Sequence, residues 1–456
     1  MIKKIAAYTR AMLRPVPSCY GKRFHQTYEF LNESQWWPSN RLEEYQNEEL
    51  RRLICHCYEN VPYYRNLFLQ HKLKPADIKG KKDLWKVPEL TKDIVREHSS
   101  DLLDVNTPRA HMEYCTTGGT SGTPLGIYID RQTHAIRRAF EWRYYNWSEY
   151  RFGDKCVVLR GSRVANFAKG RRWDYDPINN YLLLSVYDMT PETMRQYIKR
   201  IREFRPVAVR GYPAALSILG QFSAENNLPI NPTASIRVVF TSSETVFPFQ
   251  RRAISEYFSA PVSDLYGNNE QAGRFGQCRF GQHYHDFSEY GIIEVADCDK
   301  QGLGEIIATS FTNYAMPLLR YKTGDFANRL EGRCECGRSL PLLGKVIGRS
   351  QDVAIASDGT PVPLTAYFFA VHLPEVASIR KLQIKQCEKG KLEIFIVKGD
   401  RYEAGQAENL FRRMNENLRS QFQTELRYVS EIPLTAAGKH RFFIQETRPP
   451  GEISSA

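Results

Sequence analysis

What most narrows the fold of this chain is the succession of elements after Pro108, where short apolar runs alternate with amphipathic stretches. Cys156–Leu159, Val207–Val209, Ile236–Thr241, Gly291–Val295 and Glu305–Ser310 have the length and β-branched content of strands. Pro191–Phe204, Ala214–Asn226 and Pro248–Tyr257 place apolar residues at helical spacing. Strands alternating with helices predict an α/β domain with a mainly parallel sheet, because a parallel neighbour is reached through a crossover. Upstream, Leu42–Phe68 reads as helical, with Leu50, Leu53, Ile54, Cys57 and Tyr58 on one stripe.

A break near Gly344–Arg349 ends this pattern. Beyond it lie a hairpin signal at Ser357-Asp358-Gly359-Thr360, strands at Lys381–Gln386 and Leu392–Val397, a helix at Ala404–Phe422 and a last strand near Leu426–Val429. The expected organisation is a large N-terminal α/β domain, residues 1–347, followed by a small C-terminal α+β domain, residues 348–456. A chain of 456 residues exceeds what one core usually serves, which agrees with that division.

Lys and Arg number 63 against 51 Asp and Glu, a formal charge of +12. The basic residues are dispersed, with pairs such as Lys3-Lys4, Arg171-Arg172 and Arg251-Arg252 but no longer block. A nucleic-acid-binding face needs clustering, so no nucleic-acid partner is expected. Residues 1–26 carry Lys3, Lys4, Arg10, Arg14, Lys22 and Arg23 and no acid, which fits a terminal helix with at most peripheral membrane contact. No run approaches the roughly 18 apolar residues of a membrane span. Ten cysteines are too sparse for a disulfide scaffold, and Met1–Pro15 lacks the apolar core of a secretory leader. A cytoplasmic location with reduced thiols is expected. Cys55 and Cys57 flank His56, but residues two apart on a helix face different ways, so both read as core cysteines.

The strongest local signal is Thr116-Thr117-Gly118-Gly119-Thr120-Ser121-Gly122-Thr123-Pro124, immediately before the strand-like Leu125–Ile129. Such a loop can turn its N–H groups and hydroxyls toward phosphate oxygens. It has no Walker lysine and no evident helix after it, and its composition equally suits a flexible hairpin loop. A second constellation is Cys278, His285, Cys334 and Cys336, the three-thiol, one-imidazole set of a closed structural zinc site. His283 competes with His285 for the fourth position.

Further motifs follow the loop: Tyr266-Gly267-Asn268-Asn269-Glu270, Tyr321-Lys322-Thr323-Gly324-Asp325, Gly348-Arg349-Ser350-Gln351-Asp352 and Pro433-Leu434-Thr435-Ala436-Ala437-Gly438-Lys439. In this order they resemble the adenylate-forming superfamily of acyl-CoA synthetases. The resemblance is closest to the phenylacetate–CoA ligase-like branch that includes capsular-polysaccharide biosynthesis proteins. Val61-Pro62-Tyr63-Tyr64-Arg65, Ala315–Tyr321 and Cys334-Glu335-Cys336-Gly337-Arg338 also fit that branch.

The resemblance implies a large domain of several subdomains with a mobile C-terminal lid. It implies that Thr117, Gly118, Gly119, Thr120, Ser121, Gly122 and Thr123 position the triphosphate of ATP. Glu270 would hold Mg²⁺, a cation that prefers hard oxygen ligands. Tyr266 and Gly267 would line the adenine, Asp325 would accept from the ribose hydroxyls, and Arg349 would lie near ribose or phosphate. Lys439, delivered by the small domain, would stabilise charge on the reacting carboxylate and α-phosphate. Ser243 and Glu244 would flank the nucleotide, and Tyr212 the acyl pocket. The implied activity is formation of an acyl-adenylate from ATP and a small carboxylic acid, with transfer to coenzyme A or an amine acceptor, in surface-polysaccharide assembly.

Two positions depart from the pattern: Thr123 stands where many relatives have Lys, and Gln351 where many have an acidic hinge residue. A catalytically silent nucleotide-binding relative is therefore a second reading, and a zinc-containing nucleic-acid-binding protein a third. Neither the carboxylic acid nor the oligomeric state is legible in the sequence.

Overall fold

The computed structural model describes residues 21–116, 125–161, 172–186, 189–243, 246, 248–296, 298, 302–347, 353–359, 361–363, 379–398, 405, 408, 411–412, 421–433 and 443–446. The chain enters through α1 (Gly21–Ser34), α2 (Ser39–Asn60), α3 (Pro62–Gln70) and the short α4 (Lys92–Glu97). The single helical stretch expected over Leu42–Phe68 is thus two helices. Pro62 pushes Val61 into an extended conformation (φ −119°, ψ 107°) and then opens α3 in the first turn, where its missing N–H costs nothing. Leu50, Leu53, Ile54 and Cys57 are buried as the apolar stripe requires. Cys55 is exposed, so only Cys57 of that pair is a core residue.

A two-stranded ladder follows, β1 (Met112–Thr116) against β2 (Gly126–Asp130), antiparallel with Thr116 opposite Gly126. Asp130 caps α5 (Arg131–Asn146), its carboxylate accepting from the Thr133 N–H at 2.7 Å. The main sheet then assembles from β3 (Cys156–Arg160), β4 (Trp173–Asp176), β5 (Tyr181–Ser185), β6 (Ala208–Gly211), β7 (Val238–Ser242), β8 (Val262–Gly267), β9 (Arg274–Gln277), β10 (Tyr284–Asp286), β11 (Gly291–Ala296), β12 (Leu303–Ser310), β13 (Tyr321–Leu330) and β14 (Leu342–Ile347). Helices α6 (Pro191–Phe204), α7 (Pro213–Glu225) and α8 (Pro248–Phe258) supply the crossovers between β5 and β8. The order across the sheet is β11-β12-β13-β14-β10-β9-β8-β7-β6-β3-β5-β4.

Within this sheet, among the described residues, only the block β5-β3-β6-β7-β8 pairs in parallel. The expectation of a mainly parallel sheet is corrected on this point: the sheet is mixed, with an antiparallel half from β9 to β14. The links from β8 onward are too short for a crossover, and a short link returns the chain antiparallel. The α/β class itself holds.

Beyond β14, β15 (Val353–Ile355) and β16 (Pro361–Pro363) form the hairpin expected around Gly359, which sits at φ 88°. A separate four-stranded sheet, β19 (Gln423–Tyr428), β18 (Lys391–Lys398), β17 (Ile379–Gln386) and β20 (Phe443–Gln445), completes the C-terminal part. One apolar cluster joins Leu216 and Leu219 of α7 to Ala354, Ile384, Leu392 and Ile394. Most of the helix expected over Ala404–Phe422 lies outside the described residues.

Candidate functional site

The C-terminal end of β8 carries Tyr266 and Gly267, and the turn after it leads to the buried Glu270. Tyr266 lies flat on Phe275 of the neighbouring strand, with ring centroids 4.7 Å apart and planes 8° from parallel. Its hydroxyl donates to Asp325 Oδ2 at 2.7 Å. Burial, and next the Asp325 charge, push the Tyr266 hydroxyl well above its ordinary pKa, so it remains a proton donor. Asp325 follows a bulge in β13: Gly324 adopts φ 78°, a left-handed conformation that glycine tolerates. The Gly324 N–H is held by Glu305 Oε1 at 3.1 Å. Glu270 is buried and accepts from the Tyr321 hydroxyl at 3.0 Å. The structure therefore brings Tyr266, Gly267, Glu270 and Asp325 into one neighbourhood.

The Thr/Ser/Gly loop springs from the same place. Asn269 Nδ2 donates to the Thr116 carbonyl at 3.4 Å, which seats the foot of the loop against the Tyr266–Glu270 turn. Thr117, Gly118, Gly119, Thr120, Ser121, Gly122 and Thr123 themselves lie outside the described residues, as do Glu244, Arg349, Gln351 and Lys439. Ser243, at the end of β7, is exposed and left-handed (φ 73°), a strained geometry for a serine and one that clusters at ligand sites. Tyr212 is buried at the N-cap position of α7.

Next to Tyr266 and Gly267 opens a cleft of about 340 Å³ that also takes in Ser242 and Ser243. Sequence reasoning missed its most charged walls. Arg160 ends β3, Arg210 lies on β6, Arg274 on β9, and Arg137 and Arg138 on α5, with Glu141 among them. An arginine closing an apolar strand was the available signal, at Arg160 and Arg210, but nothing in the sequence says that they meet.

The other segments that carried the resemblance act as supports. The Tyr64 hydroxyl donates to the Pro317 carbonyl at 3.0 Å and accepts the Leu319 N–H at 2.9 Å. Arg320 forks onto Glu294 at 3.0 Å, and Tyr321 then presents its hydroxyl to Glu270. His56 binds the Tyr314 carbonyl at 3.0 Å, so it is a structural contact rather than a partner of the flanking cysteines.

The second cluster is compact. Cys278, His285, Cys334 and Cys336 bring their ligand atoms within 4.8 Å of one another. Cys278 Sγ is 3.5 Å from Cys334 Sγ and 3.3 Å from His285 Nε2, and Cys336 Sγ is 3.6 Å from His285 Nε2. A tetrahedron built on Zn–S bonds of about 2.3 Å has edges of about 3.5–3.8 Å, so the set fits a structural zinc ion with no position left open. His285 is in this set and His283 is not. Burial, then neighbouring cationic groups, hold the His285 imidazole down at about 3, so it is neutral and can act as a ligand at physiological pH. Burial alone would raise the Cys336 thiol, but hydrogen bonds from Arg338 outweigh it and lower the pKa.

The fold is that of the adenylate-forming acyl-CoA ligases: a solved 2-hydroxyisobutyryl-CoA ligase in complex with 2-HIB-AMP and CoA superposes with a TM-score of 0.59 at 17% identity, over 91% of this chain and 93% of that one. Within that fold the chain is a relative of the CapK and phenylacetate–CoA ligase proteins. It is 22% identical to protein CapK of Staphylococcus aureus over 94% of both chains, and residues 364–446 match the family model of the CapK C-terminal domain. It is 23% identical to the phenylacetate-coenzyme A ligase of Thermus thermophilus, over 76% of this chain and 79% of that relative. Among the described residues no helix is long and apolar enough to cross a membrane.

Proposed function

We propose that the protein activates a carboxylic acid with ATP and passes the acyl group to coenzyme A or an amine acceptor. The observation that carries this reading is the convergence of Tyr266, Gly267, Glu270 and Asp325 beside a polar cleft, where the foot of the Thr/Ser/Gly loop also rests. In the first step a carboxylate oxygen bonds to the α-phosphorus, the α–β bridging bond breaks, and pyrophosphate leaves with the electron pair. Tyr266 and Gly267 form the adenine wall, and Asp325, oriented by Tyr266, accepts from the ribose. Thr117–Thr123 hold the triphosphate, with Ser243, Glu244 and Arg349 around it. Lys439 arrives from residues 348–456, acting as a lid on residues 1–347, and opposes the charge that builds on the transferring group.

Glu270, a buried carboxylate braced by Tyr321, is the residue that would hold Mg²⁺, whose contribution when bound is to neutralise phosphate charge. Cys278, His285, Cys334 and Cys336 would hold a structural zinc that ties β9 and β10 to the Cys334–Cys336 turn. The relatives named phenylacetate-coenzyme A ligase support a ligase, and a place in capsule assembly on the cytoplasmic side belongs to this proposal, with the name of protein CapK as its one support.

The test is pyrophosphate release from ATP against a panel of aromatic, aliphatic and amino acids, with Lys439→Ala as control. Acid-dependent release that Lys439→Ala abolishes is expected. ATP binding without release for any acid would overturn the enzymatic reading in favour of a silent relative.

A further inference from the structure

The cleft beside Tyr266 and Gly267 is built for more negative charge than the reacting carboxylate brings. Arg137, Arg138, Arg160, Arg210 and Arg274 line it, and among the described residues Glu141 is the one carboxylate on its walls. Glu141 pairs with Arg274 at 3.2 Å and lies 3.8 Å from Arg137, so it offsets part of the charge. Arg210 donates to the Tyr181 hydroxyl at 3.2 Å and lies over the Tyr145 ring at 4.4 Å; Arg160 donates to the Ser242 hydroxyl. These partners are neutral and orient the guanidinium groups without cancelling them. Buried Nε atoms of Arg137, Arg160, Arg210 and Arg274 have no hydrogen-bond partner among the described residues. Buried donors left in this state are costly unless a ligand completes them.

The arrangement differs from what a purely apolar acid needs. An aromatic or aliphatic tail gains by displacing water from apolar walls, whereas converging guanidiniums reward a planar or tetrahedral anion held through two parallel N–H donors. Burial alone would raise the Glu141 carboxyl, but Arg137, Arg274, Arg210 and Arg138 outweigh it and hold the pKa at about 2. The cleft's field thus already favours anions strongly.

We propose that this cleft selects carboxylic acids bearing a second anionic group, a carboxylate or a phosphate, which Arg160, Arg210 and their neighbours bind while the reacting carboxylate faces the Tyr266–Gly267 end. This assignment rests on the carboxylate-activating reading and names the substrate class of that same site. The second anion is read directly, so it separates from any demand of the nucleotide.

The test uses the full chain and pairs of acids matched in carbon skeleton: succinate with butyrate, glutarate with valerate, and phosphoserine with serine. In ATP-dependent pyrophosphate release, each preferred dianion is expected to exceed its partner by about tenfold or more in kcat/KM. Arg160→Met and Arg210→Met should each raise KM for the dianion by about tenfold and leave KM for ATP within about twofold. The carboxylate and phosphate arms decide which anion the guanidiniums take. Equal use of both members of every pair overturns the proposal. So does a rise in KM for ATP alone, which would assign the arginines to the triphosphate.

Calorimetric titration of the same acids without ATP separates this inference from the one beneath it. If no acid releases pyrophosphate, the activating reading fails. Tighter dianion binding to the parent, lost in Arg210→Met whose circular dichroism matches the parent, still upholds the anion subsite; equal binding of both acids sinks it.

Discussion

The Tyr266 hydroxyl reaches across from the end of β8 to Asp325 of β13 and donates at 2.7 Å, joining two motifs that lie 59 positions apart in the chain. The ring that stacks on Phe275 is thus also the group that orients the carboxylate. A hydrogen bond to an ionised group is worth about 1.5–3 kcal/mol. Tyr266→Phe is expected to lower the urea-unfolding free energy by about 1–3 kcal/mol and weaken ATP binding several-fold. An unchanged ATP affinity, measured by calorimetry on the folded variant, would show that Asp325 needs no orienting donor.

Tyr64 allows a sharper separation of support from chemistry. Its hydroxyl satisfies both the Pro317 carbonyl and the Leu319 N–H, and it is buried beneath the segment that leads to Tyr321. Tyr64→Phe leaves two backbone groups unpaired, at an expected cost of about 1–3 kcal/mol. The midpoint of urea unfolding should fall, with KM for ATP unchanged within error.

Arg143 and Glu289 form an ion pair at 2.7 Å with both side chains fully buried, and the Ser34 hydroxyl also donates to Glu289 at 2.7 Å. Burial, the largest influence, lowers the Arg143 pKa, and Glu289 opposes it. Removing one partner strands a buried charge. Arg143→Met alone is expected to destabilise by about 3–5 kcal/mol, whereas Arg143→Met with Glu289→Leu should recover a large part of that loss. A double variant no more stable than the single one would refute the pairing argument.

The depressed Glu141 pKa carries a signed pH dependence. Its folded value of about 2 lies below the ordinary glutamate value of 4.5, so the ionised form stabilises the fold. That contribution is fully present above the unfolded pKa and is lost as pH falls from about 4.5 toward 2. The stability gap between parent and Glu141→Gln should therefore be constant from pH 7 to 6 and narrow on acidification, as read by urea midpoints at each pH.

Metal content tests the four-ligand cluster. One equivalent of zinc per chain is expected by mass spectrometry, lost together with several degrees of thermal stability in Cys334→Ser/Cys336→Ser. His283→Ala should retain the metal, since His285 is the imidazole within 4.8 Å of the thiols. Zinc content unchanged in the double serine variant would dismiss the site.

What could be read from the sequence follows from short-range physics. Helix α6 was legible to the residue because Thr190 caps it, Pro191 opens it and its apolar period is clean over Pro191–Phe204. The nucleotide reading rested on the resemblance of the ordered motifs to adenylate-forming ligases, whereas three thiols and an imidazole are by residue type alone a set that suits zinc.

Tertiary structure decided the rest, because it depends on pairings the chain cannot encode locally. Strand pairing after β8 turned an expected parallel sheet into a mixed one, and packing buried Cys57 while exposing Cys55; the break at Pro62, by contrast, is a local effect of the proline. The cleft is the clearest case: Arg160, Arg210 and Arg274 look like dispersed surface charge in the sequence. They become one anion-facing wall only when β3, β6 and β9 take their places in the sheet beneath α5.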